Sequence, residues 1–114
     1  MIVDDNLDLQ ALYKQCLTHD GYKVQIASNG KEALAFLQIS KVPPCLIILD
    51  LMMPVMNGWD FLKECEQDPM LLKIPIVVCS AVTEKQPANV KFIKKPLDRK
   101  TLLAIAEQHC KKIS

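Results

Sequence analysis

Leu46-Ile47-Ile48-Leu49-Asp50-Leu51-Met52-Met53-Pro54 is the stretch on which the reading of this chain turns: four aliphatic residues run without interruption and stop on a carboxylate. An unbroken apolar run this short predicts a strand buried on both faces, the kind found in parallel sheets. Asp50 then stands at the strand's carboxyl end, the edge at which open parallel sheets bind ligands. Taken alone, Asp50 is read equally well as an aspartate of a turn or a helix cap. The rest of the chain decides between the two.

With 114 residues, half of them hydrophobic, the chain has room for one domain and enough apolar mass to build its core. Lys and Arg number 14 against 13 Asp and Glu, and a net charge of +1 gives no global attraction to nucleic acid or an anionic membrane. The charge is unevenly spread: eight basic residues between Lys85 and Lys112 face Asp98 and Glu107, while the first forty residues carry five acids against three lysines. A solvated basic helix face accounts for that bias, and an acidic protein partner is the functional alternative. No aromatic stripe interleaves these lysines and no recognition motif accompanies them, so direct nucleic-acid binding is not expected. The five cysteines, Cys16, Cys45, Cys65, Cys79 and Cys110, form no C-x-x-C pair and no metal site. Their apolar neighbours predict small buried hydrophobes in a reducing compartment, the cytoplasm. Neither a membrane span nor a signal peptide is expected.

Along the chain, strand and helix signals alternate five times. Met1–Val3 is a short apolar run ending on Asp4-Asp5; it is brief for a central strand unless the natural chain starts earlier. Asn6 can cap a helix from Leu7 to about His19, with Leu9, Leu12, Cys16 and Leu17 on one face and Gly21 ending it. Val24–Ala27 reads as a strand, and Ser28-Asn29-Gly30 leads into a helix from about Lys31 to Ile39 with Ala33, Leu34 and Leu37 inward. After the Asp50 strand, Gly58 opens a helix to about Gln67 carrying Trp59, Leu62 and Cys65. Ile76–Cys79 is a fourth strand halting at Ser80, and Lys91–Ile93 a fifth halting at Lys94-Lys95-Pro96. Asp98 caps a last helix whose Leu102, Ile105, Ala106, His109 and Ile113 make an apolar stripe. Such alternation predicts a doubly wound α/β fold, a parallel sheet with helices on both faces.

Because parallel strands all point one way, the residues at which they stop share one edge of the sheet: Asp4 and Asp5, Asp50, Ser80, and Lys95. Three carboxylates crowded there repel one another and stay ionised together when a cation neutralises them. Mg2+ suits such oxygen donors, whereas zinc would want Cys or His, and His19 and His109 lie elsewhere. One ammonium and one hydroxyl complete a site for a trianionic group. Lys95 can pair with one phosphoryl oxygen, Ser80 can donate to another, and the metal can hold the third, which leaves Asp50 as the nucleophile.

On these residues the chain resembles the receiver domains of two-component response regulators. The matching pieces are Ile2-Val3-Asp4-Asp5-Asn6, Leu46 to Gly58 with Pro54 and Gly58 in place, Val77-Val78-Cys79-Ser80-Ala81, and Phe92-Ile93-Lys94-Lys95-Pro96-Leu97. They span residues 1–114 as one domain. The resemblance implies a flavodoxin-like, CheY-like sheet of order 2-1-3-4-5, and a phosphorelay in which Asp50 takes a phosphoryl group from a histidine kinase or a histidine phosphotransfer protein. It further implies that Asp4, Asp5, Asp50 and the main-chain carbonyl of Met52 hold Mg2+, and that Ser80 and Phe92 form a switch acting on a downstream protein target. The chain would then catalyse nothing beyond its own phosphorylation and dephosphorylation.

Two departures from the family pattern carry consequences. Ten residues, Ala81 to Val90, join the fourth and fifth strands, fewer than a helical crossover needs, so the fourth helix of the family is expected to be shortened or absent. The dimer surface to which that helix contributes is therefore in doubt, unless residues are missing between Thr83 and Lys91. Met52 and Val82, two residues beyond Asp50 and Ser80, cannot hydrogen-bond an attacking water, which predicts slow self-dephosphorylation. With the last helix at the end of the sequence, a stand-alone receiver is expected, a fragment of a longer regulator or hybrid kinase being the alternative. A phosphorylation-independent receiver-like interaction module is the rival in function. An aspartyl-phosphate phosphatase is disfavoured by Met52, which stands where its acid/base carboxylate would be.

Overall fold

Each helix starts on a side chain that satisfies its first free N–H groups. In the computed structural model, which describes residues 1–82 and 84–112, Asn6, Asn29, Asn57 and Asp98 accept hydrogen bonds from Leu9, Glu32, Asp60 and Thr101. Each such cap stabilises its helix by about 1 kcal/mol. The helices so begun are α1 (Leu7–His19), α2 (Gly30–Ile39), α3 (Gly58–Glu66) and α4 (Arg99–His109). Gly21 ends α1 at φ +95°, with its own N–H donating to Thr18 and that of Tyr22 to Leu17, the paired closure that a left-handed residue permits.

Between the helices run β1 (Ile2–Val3), β2 (Ile26–Ala27), β3 (Ile47–Leu49), β4 (Ile76–Ser80) and β5 (Lys91–Lys94), all parallel in the order β2-β1-β3-β4-β5. The expected sheet order and doubly wound architecture are thus realised. β3 is buried on both faces, as its unbroken apolar run requires. Ile47 and Leu49 join the core under α2 and α3, while Leu46 and Ile48 join the core under α1 and α4.

Several faces differ from their sequence reading. On α1 the buried residues are Gln10, Tyr13 and Leu17, and Leu12 is exposed; the apolar positions allow two overlapping stripes, and the one containing Gln10 faces the sheet. Phe61, not singled out by pattern, is fully buried on α3, and Trp59 is half-buried. α4 stops at His109, which is exposed, one turn short of the expected stripe, and Ile113 lies outside the described residues.

The β4–β5 connection contains no helix among the described residues of 81–90; turns replace it, with Lys85 and Asn89 at positive φ. The indole N–H of Trp59 donates to the Lys85 carbonyl at 2.8 Å and ties this loop to α3. Ile76, Val90 and Phe92, on the α2/α3 side of the sheet, are left half-buried. Thr83 lies outside the described residues.

The cysteine reading needs correction. Cys65 and Cys79 are buried as expected, but Cys45 is exposed and joined to the half-exposed Cys110 by a disulfide. The two are 65 residues apart in sequence, a pairing no local pattern reveals. The cysteines therefore give no argument for a reducing compartment. No helix among the described residues is long and apolar enough to cross a membrane.

Candidate functional site at the carboxyl edge of the sheet

β1 and β3 are in register, Val3 opposite Leu49, so the residues that follow them, Asp4 and Asp50, emerge side by side. The ladder continues into these residues: the Asp50 N–H donates to Val3 at 2.9 Å and the Asp4 N–H to Ala27 at 3.0 Å. Both aspartates are buried, at 3% and 7% exposure, while the neighbouring Asp5 is exposed. One carboxylate oxygen from each of Asp4, Asp5 and Asp50 lies within 4.8 Å of the other two.

Lys95 reaches into this cluster from the end of β5. Its Nζ lies 2.8 Å from Asp4 Oδ2 and 3.2 Å from Asp50 Oδ2. The Lys95 N–H donates to the Ser80 carbonyl at 3.0 Å, which fixes the lysine to the end of β4, and a cis peptide bond joins Lys95 to Pro96. Ser80 is buried, and its Oγ accepts the Val82 N–H at 3.2 Å. All five residues predicted from the strand ends, Asp4, Asp5, Asp50, Ser80 and Lys95, are at this edge. Met52 is 57% exposed in the loop beyond Asp50, and Phe92 is packed half-buried against the core beneath α2 and α3.

The electrostatics follow from this crowding. Burial raises the pKa of Asp50, and the charge of Asp4 adds to the rise; Lys95 opposes both without cancelling them. Burial alone would lower Lys95, but its hydrogen bond to Asp4 and the charges of Asp50 and Asp4 outweigh it and hold the ammonium above its ordinary value. Three carboxylates over one ammonium leave an excess of negative charge, and oxygen-only donors of that kind match a hard divalent cation such as Mg2+.

Three supporting contacts depend on the packing of the fold. The Gln10 amide donates to the Asp4 carbonyl and, at 3.0 Å, to Ser28 Oγ, and the Asn6 N–H donates to Asp4 Oδ1 at 2.9 Å, so the Asp4 main chain and carboxylate are both held. A polar residue at a helix position facing the sheet is the signal that could have marked Gln10. The loop after Asp50 turns tightly: Met56 N–H donates to Pro54 at 2.8 Å across Val55, whose φ is +69°, a conformation a β-branched residue seldom adopts. Gly58 then comes back against β3. A Cβ there would lie 2.8 Å from Leu51 Cα and closer still to the Asp50 carbonyl oxygen.

The family model described as "Response regulator receiver domain" matches residues 1–107. The chain belongs to the response regulator receiver domain family. Receiver relatives agree with this in sequence and in fold. The chain is 30% identical over 110 residues to the response regulator SaeR of Staphylococcus aureus, covering 90% of this chain and 46% of that one. It is 37% identical over 86 residues to the sensor histidine kinase TmoS of Ectopseudomonas mendocina, covering 75% of this chain and 8% of the kinase. It therefore spans less than half the length of either relative. Among solved structures, the chemotaxis protein CheY4 of Vibrio cholerae superposes with a TM-score of 0.79 at 29% identity, covering 95% of this chain and 94% of that one. The signal receiver domain of a histidine kinase from Syntrophus aciditrophicus superposes with a TM-score of 0.82 at 28% identity, covering 94% and 85%. Receivers serve two-component signal transduction opposite a histidine kinase, and an acidic triad such as Asp4, Asp5 and Asp50 is typical of their Mg2+ site.

Proposed function

We propose that this receiver is a phosphoacceptor of a two-component phosphorelay, taking a phosphoryl group on Asp50 from the phosphohistidine of a histidine kinase or histidine phosphotransfer protein and changing its binding to a downstream protein. The observation that carries the proposal is the Lys95 ammonium set between Asp4 and Asp50, at 2.8 and 3.2 Å, within a cluster of three carboxylates. A half-buried ammonium that already contacts the nucleophile is in reach of whatever is attached to that nucleophile.

In the transfer, an Asp50 carboxylate oxygen forms a bond to phosphorus as the nitrogen–phosphorus bond of the donor breaks, and the bonding pair leaves with the imidazole, which takes up a proton. The carboxylates of Asp4, Asp5 and Asp50 and the main-chain carbonyl of Met52 would hold Mg2+, which would supply neutralising charge for the phosphoryl oxygens. Lys95 exchanges its Asp50 contact for a phosphoryl oxygen while keeping Asp4. Ser80 donates its hydroxyl proton to a second oxygen, and Phe92 repacks behind it, so that the new charge contacts bias the domain between two packings. Met52 and Val82 offer no hydrogen bond to an attacking water, and the acyl phosphate persists. Beyond its own phosphorylation and dephosphorylation the chain catalyses nothing.

Incubation with Mg2+ and a small acyl phosphate, followed by intact mass, tests the proposal. One added phosphoryl group is expected in the wild type and none with chelator or in Asp50→Asn. If no group is added, and Mg2+ with beryllofluoride does not bind either, the chain is a phosphorylation-independent interaction module.

A further inference from the structure

At the opposite edge of the sheet from Asp50, the start of β3 and the end of α4 are joined covalently. Cys45 immediately precedes the β3 run, and Cys110 is the C-cap residue of α4, its N–H donating to Ala106 at 2.7 Å. Their Cα atoms are 5.5 Å apart, a separation a disulfide accommodates without moving the backbone. The bond borders an apolar cavity of about 120 Å3 lined by Leu17, Tyr22, Leu46 and Ile48.

Accessibility and surrounding charge set this pair apart from the buried cysteines, Cys65 and Cys79. Cys45 is exposed and Cys110 half-exposed, so solvent-borne thiols and disulfides reach both. Lys23 and Lys111 are the charged side chains among the residues lining the same cavity, and both are basic. By contrast Cys65 and Cys79 are buried in the core, where burial pushes their thiols up to about 12 and about 11 and leaves them unreactive.

We propose that Cys45 and Cys110 form a reversible thiol–disulfide site, oxidised by a low-molecular-weight disulfide, that fastens α4 to β3 when closed. The more exposed Cys45 thiolate attacks one sulfur of the small disulfide. A mixed disulfide forms, and the first small thiolate leaves and takes up the proton Cys45 released. The Cys110 thiolate then attacks the Cys45 sulfur, the protein disulfide forms, and the second small thiolate leaves and is protonated in turn. Two electrons pass from the two cysteines to the small disulfide, which ends as two thiols. Reduction reverses the sequence and returns α4 to non-covalent packing against α1 and the sheet. A bond that closes a loop of 65 residues removes much freedom from the unfolded chain, so the two redox states differ measurably in stability.

The test uses the full chain, equilibrated with oxidised or reduced glutathione, acid-quenched, alkylated while unfolded and weighed. Three adducts are expected for the oxidised protein, on Cys16, Cys65 and Cys79, and five for the reduced. The thermal midpoint is expected to fall by roughly 10 °C or more on reduction. Cys45→Ser and Cys110→Ser each abolish that difference, and Cys110→Ser retains a glutathione adduct on Cys45. Asp50→Asn shows the same redox shift as wild type, which separates this site from the phosphoacceptor reading. Five adducts after oxidation, a bond mapped to Cys16, or an oxidised midpoint equal to the reduced one would overturn the proposal. The reduced wild type carries no substitution, so the comparison stands even where a serine variant does not fold.

Discussion

Gly58→Ala is the smallest change that tests how the β3–α3 connection holds Asp50. The Gly58 N–H donates to the Leu51 carbonyl at 2.8 Å, and a Cβ at position 58 would meet the Asp50 carbonyl oxygen and stand 2.8 Å from Leu51 Cα. Both obstacles are backbone, so neither can rotate away. Relieving them moves α3 off the end of β3, which costs about 1–3 kcal/mol as overpacking and about 1 kcal/mol more if the hydrogen bond is lost. Alanine recovers little of this through helix propensity, because Gly58 is at the first helical position. A loss of about 3 kcal/mol, set against an unfolding entropy of about 2.1 cal/mol/K for each of 114 residues, lowers the thermal midpoint by about 12 °C. Differential scanning calorimetry reads the shift, and the rate of phosphoryl acceptance should fall with it because the added Cβ presses on the main chain of Asp50 itself. A Gly58→Ala protein within about 2 °C of wild type, phosphorylated at the same rate, would show that the close approach of Gly58 does not hold Asp50 in place.

Other expectations follow from the same geometry. Lys95→Met removes the ammonium that Asp4 and Asp50 share and leaves two buried carboxylates facing each other. It should destabilise the metal-free protein by about 3–5 kcal/mol, seen as a lower urea midpoint that added Mg2+ partly restores; an unchanged midpoint counts against the pairing. Burial and Asp4 hold the Asp50 pKa above its unfolded value, so the folded state binds that proton more tightly. This group's contribution to stability accordingly declines as pH rises from the ordinary carboxylate range, about 4, through the folded pKa. Without Mg2+, the stability advantage of Asp50→Asn over wild type should therefore grow between pH 4 and 7 in chemical denaturation, and an advantage that shrinks contradicts the assignment. Met52→Asn places a hydrogen-bonding side chain beside the acyl phosphate and should speed its hydrolysis, followed by loss of the phosphorylated mass. A longer-lived phosphoprotein in the variant is the adverse result.

The site was legible because it lies where strands end. Parallel strands share a direction, so Asp4, Asp50, Ser80 and Lys95 fall on one edge whatever the loops do, and the apolar run Leu46–Leu49 identifies the central strand from composition alone. That the described residues of 81–90 form no crossover helix was legible too, since ten residues are too few to form a helix and return to the sheet. What escaped the pattern depends on tertiary detail. The inward face of α1 is displaced from the most apolar stripe because Gln10 must reach the Asp4 carbonyl and Ser28, an arrangement that burial of leucines does not predict. The Cys45–Cys110 bond joins residues brought together only by the packing of α4 against the sheet, and five cysteines leave the pairing open.

In the proposed function Asp50, and no other carboxylate, carries the phosphoryl group. Borohydride reduction of the protein after Mg2+-dependent phosphorylation converts an aspartyl phosphate to homoserine, and peptide mass mapping then locates it. Homoserine is expected at position 50, with unmodified aspartate at positions 4 and 5. Homoserine at position 4 or 5, or none at all in protein that has gained phosphoryl mass, would contradict it.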